Sequence, residues 1–250
     1  MSRSIQLFLT PAAGKRLIAS ALVKRPDVQE ALKNATIFVI GGTTNVYCAN
    51  ALFAEIGSLL RAEFTGFHRG VAAPAGASFQ QADFQGDLLI EKGVPRFVNA
   101  LPEICRTLKA GDIILKGANA VHLESRTAGV LIGNTETGGT VAEAARAVTS
   151  RRATLIHPVG VEKRVEKPVY ELASLVNDKD ATGLRLDPTP GEIFTELDAI
   201  DLLFGSHAEI IASGAVNGGE GGVYLQITGG DLEGLQAYIR SIANEPPVVC

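Results

Sequence analysis

The sequence predicts an α/β protein in two parts. Residues 1–180 are expected to form a ligand-binding domain with a doubly wound, mainly parallel, Rossmann-like sheet, and residues 181–250 a smaller ferredoxin-like α+β domain. Three patterns carry this prediction: short apolar segments alternate with helical ones, glycine clusters follow the apolar segments, and the order of segments changes after Gly183.

Composition agrees with a folded α/β chain. The 250 residues include 27 glycines, and 46% of the residues are hydrophobic. Apolar residues this abundant exclude low-complexity disorder, and the absence of a period of three excludes collagen. A chain of this length buries enough surface to fold without a disulfide or a metal.

The first part contains alternating strand and helix patterns. The run Thr36-Ile37-Phe38-Val39-Ile40 is apolar without alternation, which is typical of a parallel strand buried on both faces. Apolar residues at helical spacing alternate with such runs. The predicted strands are 4–9, 36–40, 87–91, 113–115, 129–132 and 153–157. The predicted helices are 15–22, 28–33, 46–64, 97–109, 141–148 and 168–176.

The second part follows a different order. Strand, helix, two strands, helix and a last strand are predicted, which is the order of a ferredoxin-like unit. The glycine-rich segment 217–222 is a hairpin signal between the two middle strands. These elements are 184–186, 195–204, 208–216, 223–228, 231–243 and 246–250.

Charge and cysteine content exclude several classes of protein. The net charge of −4 and a pI near 5.6 argue against a nucleic-acid partner. Three widely spaced cysteines form no metal motif and no disulfide framework, which favours the cytoplasm. No apolar run approaches the roughly 18–20 residues of a membrane span, so no membrane association is expected.

The first glycine loop is a candidate anion site. It follows the strand at 36–40, precedes a helix and consists of Gly41, Gly42, Thr43, Thr44 and Asn45. A helix start exposes unpaired N–H groups, and glycine lets a ligand approach the main chain. A plain strand-to-helix turn explains the same residues. The loop lacks the dinucleotide and P-loop fingerprints, so no NAD or ATP cofactor is expected.

A second loop has the same construction. Its predicted ligand-binding residues are Gly133, Asn134, Thr135, Thr137, Gly138, Gly139 and Thr140. Two such loops at the carboxyl ends of strands in one sheet would meet at one crevice, where open α/β sheets bind ligands. A small anionic metabolite is therefore the expected partner.

Residues between and within the loops are candidates for catalysis. Lys116, Gly117 and Asn119 follow the strand at 113–115 and would reach the same crevice. Lys116 would pair with an anionic group or act as a base. Glu136, inside the second loop, is the candidate base. A lysine and a glutamate that simply face solvent are the alternative interpretation.

These motifs resemble the superfamily of ribose-5-phosphate isomerase A, glucosamine-6-phosphate deaminase and the CoA transferases. Residues 37–44 look like the isomerase's strand and Gly-Thr-Gly-Ser-Thr phosphate loop. The segment Lys-Gly-Ala-Asn-Ala-Val at 116–121 looks like the family's Asp-Gly-Ala-Asp-Glu-Val. Lys116, Asn119 and Ala120 replace the family's catalytic acids. The resemblance therefore implies a fold and an anion-binding loop, not the isomerase reaction.

Three functional hypotheses follow. The leading one is a cytosolic protein that binds a phosphorylated or carboxylated metabolite at both loops, with isomerase- or transferase-like chemistry at Lys116 and Glu136. The alternative is a non-enzymatic sensor or scaffold that forms a homo-oligomer through the strand at 208–216. A dehydrogenase ranks last, because no acidic residue stands where a ribose contact would be expected.

Overall fold

The computed structural model describes residues 4–69, 72 and 83–248. The helices are α1 (Pro11–Leu22), α2 (Pro26–Asn34), α3 (Asn45–Glu55), α4 (Leu101–Thr107), α5 (Gly139–Arg151), α6 (Val169–Val176), α7 (Glu196–Phe204) and α8 (Leu232–Ile242), with a short 3-10 helix at Val161–Lys163. The strands are β1 (Ser4–Leu9), β2 (Thr36–Val39), β3 (Asp87–Glu91), β4 (Val94–Val98), β5 (Ile113–Leu115), β6 (Ala120–His122), β7 (Thr127–Ile132), β8 (Thr154–Pro158), β9 (Arg185–Thr189), β10 (Glu192–Phe194), β11 (His207–Ser213) and β12 (Val223–Thr228).

A six-stranded sheet forms the centre of the molecule, in the order β10-β8-β5-β2-β3-β4. The first four strands are parallel, while β3 and β4 join in antiparallel fashion. The sheet is therefore mixed and mostly parallel, and the predicted α/β class is confirmed.

Helices cover both faces of this sheet. Ile37 and Val39 of β2 belong to one apolar cluster with α1 and α3, whereas Phe38 belongs to another with α4 and α5. All three side chains are fully buried. The unbroken apolar run at 36–40 was predicted to have two buried faces, and the structure confirms this.

Two small antiparallel sheets accompany the central one. The first has the order β6-β7-β9 and the second the order β1-β12-β11. The strand predicted at 184–186 is present as β9, but it pairs with β7 and not with β11 or β12. Strand β1 supplies the third strand of the C-terminal sheet. Of the last predicted strand, 246–248 is not extended into any sheet, and 249–250 lies outside the described residues.

The helix predicted at 97–109 is shorter in the structure, because residues 97 and 98 belong to strand β4 and α4 spans Leu101–Thr107. Lys92 and Gly93 have φ of 47° and 80° and form a tight turn that pairs β3 with β4. Pro95 lies within β4 and has no N–H to donate. It is tolerated because β4 is the last strand of the sheet, where a missing N–H has no partner to lose. The helix α4 is correspondingly short.

The predicted helix at 46–64 ends early, at Glu55, and turns and irregular chain lead to Arg69. None of the helices within the described residues combines the length and the apolar composition that crossing a membrane requires. The boundary predicted near residue 180 stays a prediction; β1 and α1 contact β12 and α7 across it.

Candidate functional site

A cavity of about 900 Å³ lies at the carboxyl ends of β2 and β5. These strands are parallel neighbours, with Val39 opposite Leu115, so the segments after them emerge side by side. The first glycine loop follows β2, and Lys116 follows β5 directly. The 3-10 helix after β8, the next strand of the sheet, brings Lys163 to the same wall.

Two buried side chains fix the first glycine loop. Asn45 donates through Nδ2 to the carbonyl oxygens of Ile40 and Leu115, at 2.8 and 3.0 Å, and so ties the ends of β2 and β5 together. The Asp87 carboxylate accepts the N–H of Gly41 at 2.9 Å. The loop is therefore held open by groups that lie behind it.

Two buried polar atoms of this loop, Thr44 Oγ1 and Asn45 Oδ1, form no hydrogen bond within the described part of the chain. Thr44 lines the cavity, and the residue is 2% exposed. A buried hydroxyl normally finds a partner, because leaving it unpaired costs about 1–3 kcal/mol. The Thr44 hydroxyl is therefore an unused hydrogen-bonding group in the wall of the cavity.

The second glycine loop is shaped by its own side chains. Asn134 accepts the N–H groups of Glu136 and Thr137 through Oδ1, at 3.0 and 3.1 Å. Gly138 and Gly139 have φ of 73° and 68°, which favours glycine and turns the chain into α5. The first residues of α5 then line the cavity.

The two loops meet, but not for the predicted reason. The second loop follows β7, and β7 belongs to the small sheet with β6 and β9, not to the central sheet. The expectation that both loops end strands of one sheet is wrong. Asn119 joins the two regions instead: its N–H donates to Gly129 at 2.8 Å, and its Oδ1 accepts the N–H of Leu131 at 3.1 Å.

Most of the predicted site residues line this cavity; that they bind a ligand stays a prediction. The lining set is Gly41, Gly42, Thr43, Thr44, Lys116, Gly117, Asn119, Gly133, Asn134, Thr137, Gly138, Gly139 and Thr140. Asn45, Thr135 and Glu136 are not in it: Asn45 is buried behind the first loop, while Thr135 and Glu136 are exposed on the turn.

Within the described part of the chain, the side chains of the two cavity lysines form hydrogen bonds to main-chain oxygens only. Lys116 donates through Nζ to Gly117 at 3.3 Å, and Lys163 donates to Ala118 at 2.9 Å. Burial, and then the positive charge of Lys163, lower the pKa of Lys116 to about 8. Burial likewise lowers the pKa of Lys163.

Below Lys116, His157 holds its main chain. Nδ1 of the buried imidazole lies 2.6 Å from the carbonyl oxygen of Lys116, and Nε2 lies 2.9 Å from that of Pro190. Burial lowers the pKa of His157. Both ring nitrogens are occupied by main-chain contacts, so His157 positions the lysine segment and does not face the cavity.

The cavity wall also carries charged residues outside the two glycine loops and the segment 116–119. Arg69, Arg106, Lys163 and Glu143 also line the cavity. Arg69 forms an ion pair with buried Asp87, and Glu143 pairs with Arg146 at 3.0 Å. Arg69 stands in a glycine- and alanine-rich segment, and Arg106 and Lys163 follow no motif. Only the fold brings them here.

The cavity is therefore lined by more positive than negative charge. Among the described residues, no group of three or more His, Cys, Asp or Glu side chains has the arrangement that would hold a metal ion. No protein-family model matches the chain, and a comparison with curated proteins returned no match either. A function must therefore be inferred from the chemistry of the cavity.

Proposed function

We propose that this is a cytosolic protein that binds a small phosphorylated or carboxylated metabolite in the cavity between the two glycine loops. The observation that carries the proposal is the pair Lys116 and Lys163. Both lysines are half-buried, and neither belongs to an ion pair formed by the described residues.

A bound anion would compensate the positive charges of Lys116 and Lys163. Burial of a charge is costly unless an opposite charge or several hydrogen bonds compensate it. Because burial disfavours the charged form, it lowers the pKa of both lysines. A phosphate or carboxylate in the cavity would compensate both charges, and Arg106 on the rim adds a third cation.

The glycine loops supply the neutral donors. The main chain at Gly42–Thr44 and at Gly138–Thr140 leads into helices α3 and α5. At α3 the N–H groups of Val46, Tyr47 and Cys48 donate to Gly42 and Thr44, and before α5 those of Gly138 and Gly139 donate to Asn134 and Thr137. The donors for a ligand are therefore the remaining N–H groups of the loops, at the positive ends of the helix dipoles. The unpartnered Thr44 hydroxyl lies at the first of these helix starts. Donors of this kind suit oxygen atoms of a phosphate.

The finer assignments belong to the same proposal. The helices on both faces of the central sheet support a Rossmann-like relationship, and the β1-β12-β11 sheet with α7 and α8 supports a ferredoxin-like one. The same loops support kinship with the isomerase and CoA-transferase superfamily. An isomerase- or transferase-like step would use Lys116, with Glu136 as the base on the adjoining turn.

The binding proposal is tested at Gly42. A Cβ atom added there meets no atom within 4 Å, so the position has room for a side chain to start. We expect Gly42→Asp to weaken the affinity for inorganic phosphate and for sugar phosphates by about tenfold or more, because it places a carboxylate against the anion. Gly42→Asn has the same shape without the charge and is the matched control.

The readouts are thermal shift and titration calorimetry, since a ligand that binds the folded state raises its stability. Wild type and Gly42→Asn are expected to be stabilised by phosphate esters or dicarboxylates, but not by their neutral alcohols or amides. Equal affinities for the two variants would place the anion elsewhere. No stabilisation by any of these anions would overturn the proposal.

A second candidate role rests on strand β11. It is an edge strand that pairs with β12 on one side only within the described residues, and its Ile211 is 49% exposed. Such an edge suits pairing with a second copy of the chain, which would give a homo-oligomeric sensor or scaffold. Light scattering tests this: wild type should be a dimer that Ile211→Lys converts to a monomer, and a monomeric wild type would refute it.

A further inference from the structure

Within the described part of the chain, Lys116 differs from the other lysines whose side chains form a hydrogen bond or an ion pair. Lys15, Lys24 and Lys179 each pair with a carboxylate, and Lys163 makes a well-formed bond of 2.9 Å to a main-chain oxygen. Within the described residues, the Lys116 ammonium group forms one hydrogen bond, a long one of 3.3 Å to the carbonyl oxygen of its own neighbour Gly117. Its Nζ is therefore the least engaged amine of the cavity.

The side chain also stands in the middle of the site. It follows β5, which lies between β2 with the first glycine loop and β8 with Lys163. The carbonyl group of Lys116 is held by His157, so the start of the side chain is fixed. A ligand anchored by its anionic group at the loops would thus extend past Nζ.

The chemical state of this amine favours reaction with an electrophile. Only an unprotonated amine has the lone pair that attacks carbon. Burial and the charge of Lys163 lower the pKa of Lys116 to about 8, so about a tenth of the amine is unprotonated at pH 7, far more than for an ordinary lysine. Within the described ion pairs, no carboxylate holds it as an ammonium ion.

We propose that Lys116 captures the carbonyl carbon of an aldehyde or ketone that carries a phosphate or carboxylate group, forming an imine. The proposal rests on the anion site described above. It narrows the ligand class from any small anion to a carbonyl compound with an anionic end.

The step balances without a cofactor or an oxidant. The Nζ lone pair forms a C–N bond to the carbonyl carbon, and the carbonyl π electrons pass to oxygen, which gains a proton. The nitrogen then loses its protons and the hydroxyl group leaves as water, so amine and carbonyl give imine and water. Lys163 and Glu143, both on the cavity wall, are the charged groups available for these proton transfers.

The experiment uses pyridoxal 5′-phosphate as the probe, because it joins an aldehyde to a phosphate. The full chain is treated with a low concentration of probe, reduced with sodium borohydride and mapped by peptide mass spectrometry. Reduction turns the imine into a stable amine, so the modified lysine is identified directly. Pyridoxal, which lacks the phosphate, is the matched control.

We expect Lys116 to be the first lysine modified, with labelling by pyridoxal weaker by about tenfold and labelling by the phosphate ester suppressed by excess inorganic phosphate. Lys116→Arg should remove the adduct yet keep stabilisation by inorganic phosphate, since the charge remains. Lys33→Arg, at the exposed end of α2, should keep the adduct at Lys116. If Lys116→Arg does not fold, Lys116→Met serves for the labelling.

Modification spread over surface lysines, modification of Lys163 in place of Lys116, or equal labelling by pyridoxal would each overturn the imine proposal. The two proposals fail separately. Stabilisation by inorganic phosphate without labelling of Lys116 refutes the imine alone, whereas absence of stabilisation by phosphate refutes the anion site on which it rests.

Discussion

Two groups of charged side chains lie inside this protein, and they differ in how their charges are compensated. In the first, Lys15 pairs with Glu162 at 3.3 Å, beside Glu196, which accepts the N–H of Val161 at 2.9 Å. In the second, Lys116 and Lys163 line the cavity and contact main-chain oxygens. The first group contains its own ion pair, whereas neither lysine of the second group forms one within the described residues.

This difference separates a structural cluster from a binding site. The first group, Lys15, Glu162 and Glu196, is called the acidic cluster below. It is closely packed, because a Cβ added to Gly14 of α1 would lie 2.3 Å from Glu196 Oε1. Neither Glu162 nor Glu196 lines the cavity, although Lys163 is the next residue after Glu162. Glu162 and Lys163 are thus adjacent in the chain but belong to different sites. Glu162 is part of an ion pair within the fold, whereas Lys163 lines the cavity that we propose binds an anion.

The largest expected effect on stability comes from removing the ion pair of the acidic cluster. Lys15→Met removes the partner of Glu162 and leaves two carboxyl groups in a nearly closed space. We expect the free energy of unfolding, measured by urea denaturation, to fall by about 3 kcal/mol, because an uncompensated buried charge is strongly destabilising.

The control for Lys15→Met is Lys24→Met. Lys24 pairs with Glu55 at 2.7 Å, a shorter distance than in the cluster, but its side chain is 56% exposed. We expect a loss of at most about 1 kcal/mol there. Equal losses in the two variants would contradict the distinction between buried and exposed pairs.

A smaller effect on stability is expected from the proton on the Glu196 carboxyl group of the acidic cluster. Burial, and then the charge of Glu162, raise the pKa of Glu196 well above its usual value. The folded protein therefore keeps a proton that the unfolded chain releases near pH 4.3. The resulting stabilisation is complete below about pH 4.3 and is lost as the pH rises through the raised pKa of the folded state.

Glu196→Gln removes this dependence, because glutamine stays neutral and can still accept the N–H of Val161. Between about pH 5 and pH 8 we expect the wild type to lose about 2 kcal/mol more stability than the variant. His157, whose pKa burial lowers, titrates in both proteins, so the difference between them isolates Glu196. Parallel stability curves would show that Glu196 is ionised in the folded state.

The cavity could be predicted largely from local sequence, because its main-chain parts are local. A buried strand that ends in Gly-Gly-Thr-Thr and a glycine run before a helix define both loops without reference to the rest of the chain. Lys116 was predicted because it directly follows a predicted strand. These signals depend on a few neighbouring residues, and the structure brings those residues to one cavity.

The remaining parts of the fold and of the cavity depend on contacts between residues that are far apart in the sequence. The sequence pattern does not reveal that β1 pairs with β12, from Ser4 opposite Thr228 to Leu9 opposite Val223. It does not reveal that β9 pairs with β7 either. Arg106 and Lys163 reach the cavity only through such long-range packing, so no local spacing marks them. The acidic cluster is hidden for the same reason, since Lys15 and Glu196 meet only in the folded chain.

The smallest expected effect on stability is in the cavity, and its sign is opposite to that of Lys15→Met. Lys116→Met replaces a poorly compensated ammonium group by an apolar chain of similar length, so we expect the ligand-free protein to gain about 1 kcal/mol in urea denaturation at neutral pH. The same variant should bind inorganic phosphate about tenfold more weakly, because one of the two inner cations is gone. Lys33→Met, at the exposed end of α2, should change neither quantity. A loss of stability like that of Lys15→Met would mean that Lys116 has its counter-charge within the fold, and the contrast between the two groups of lysines would not hold.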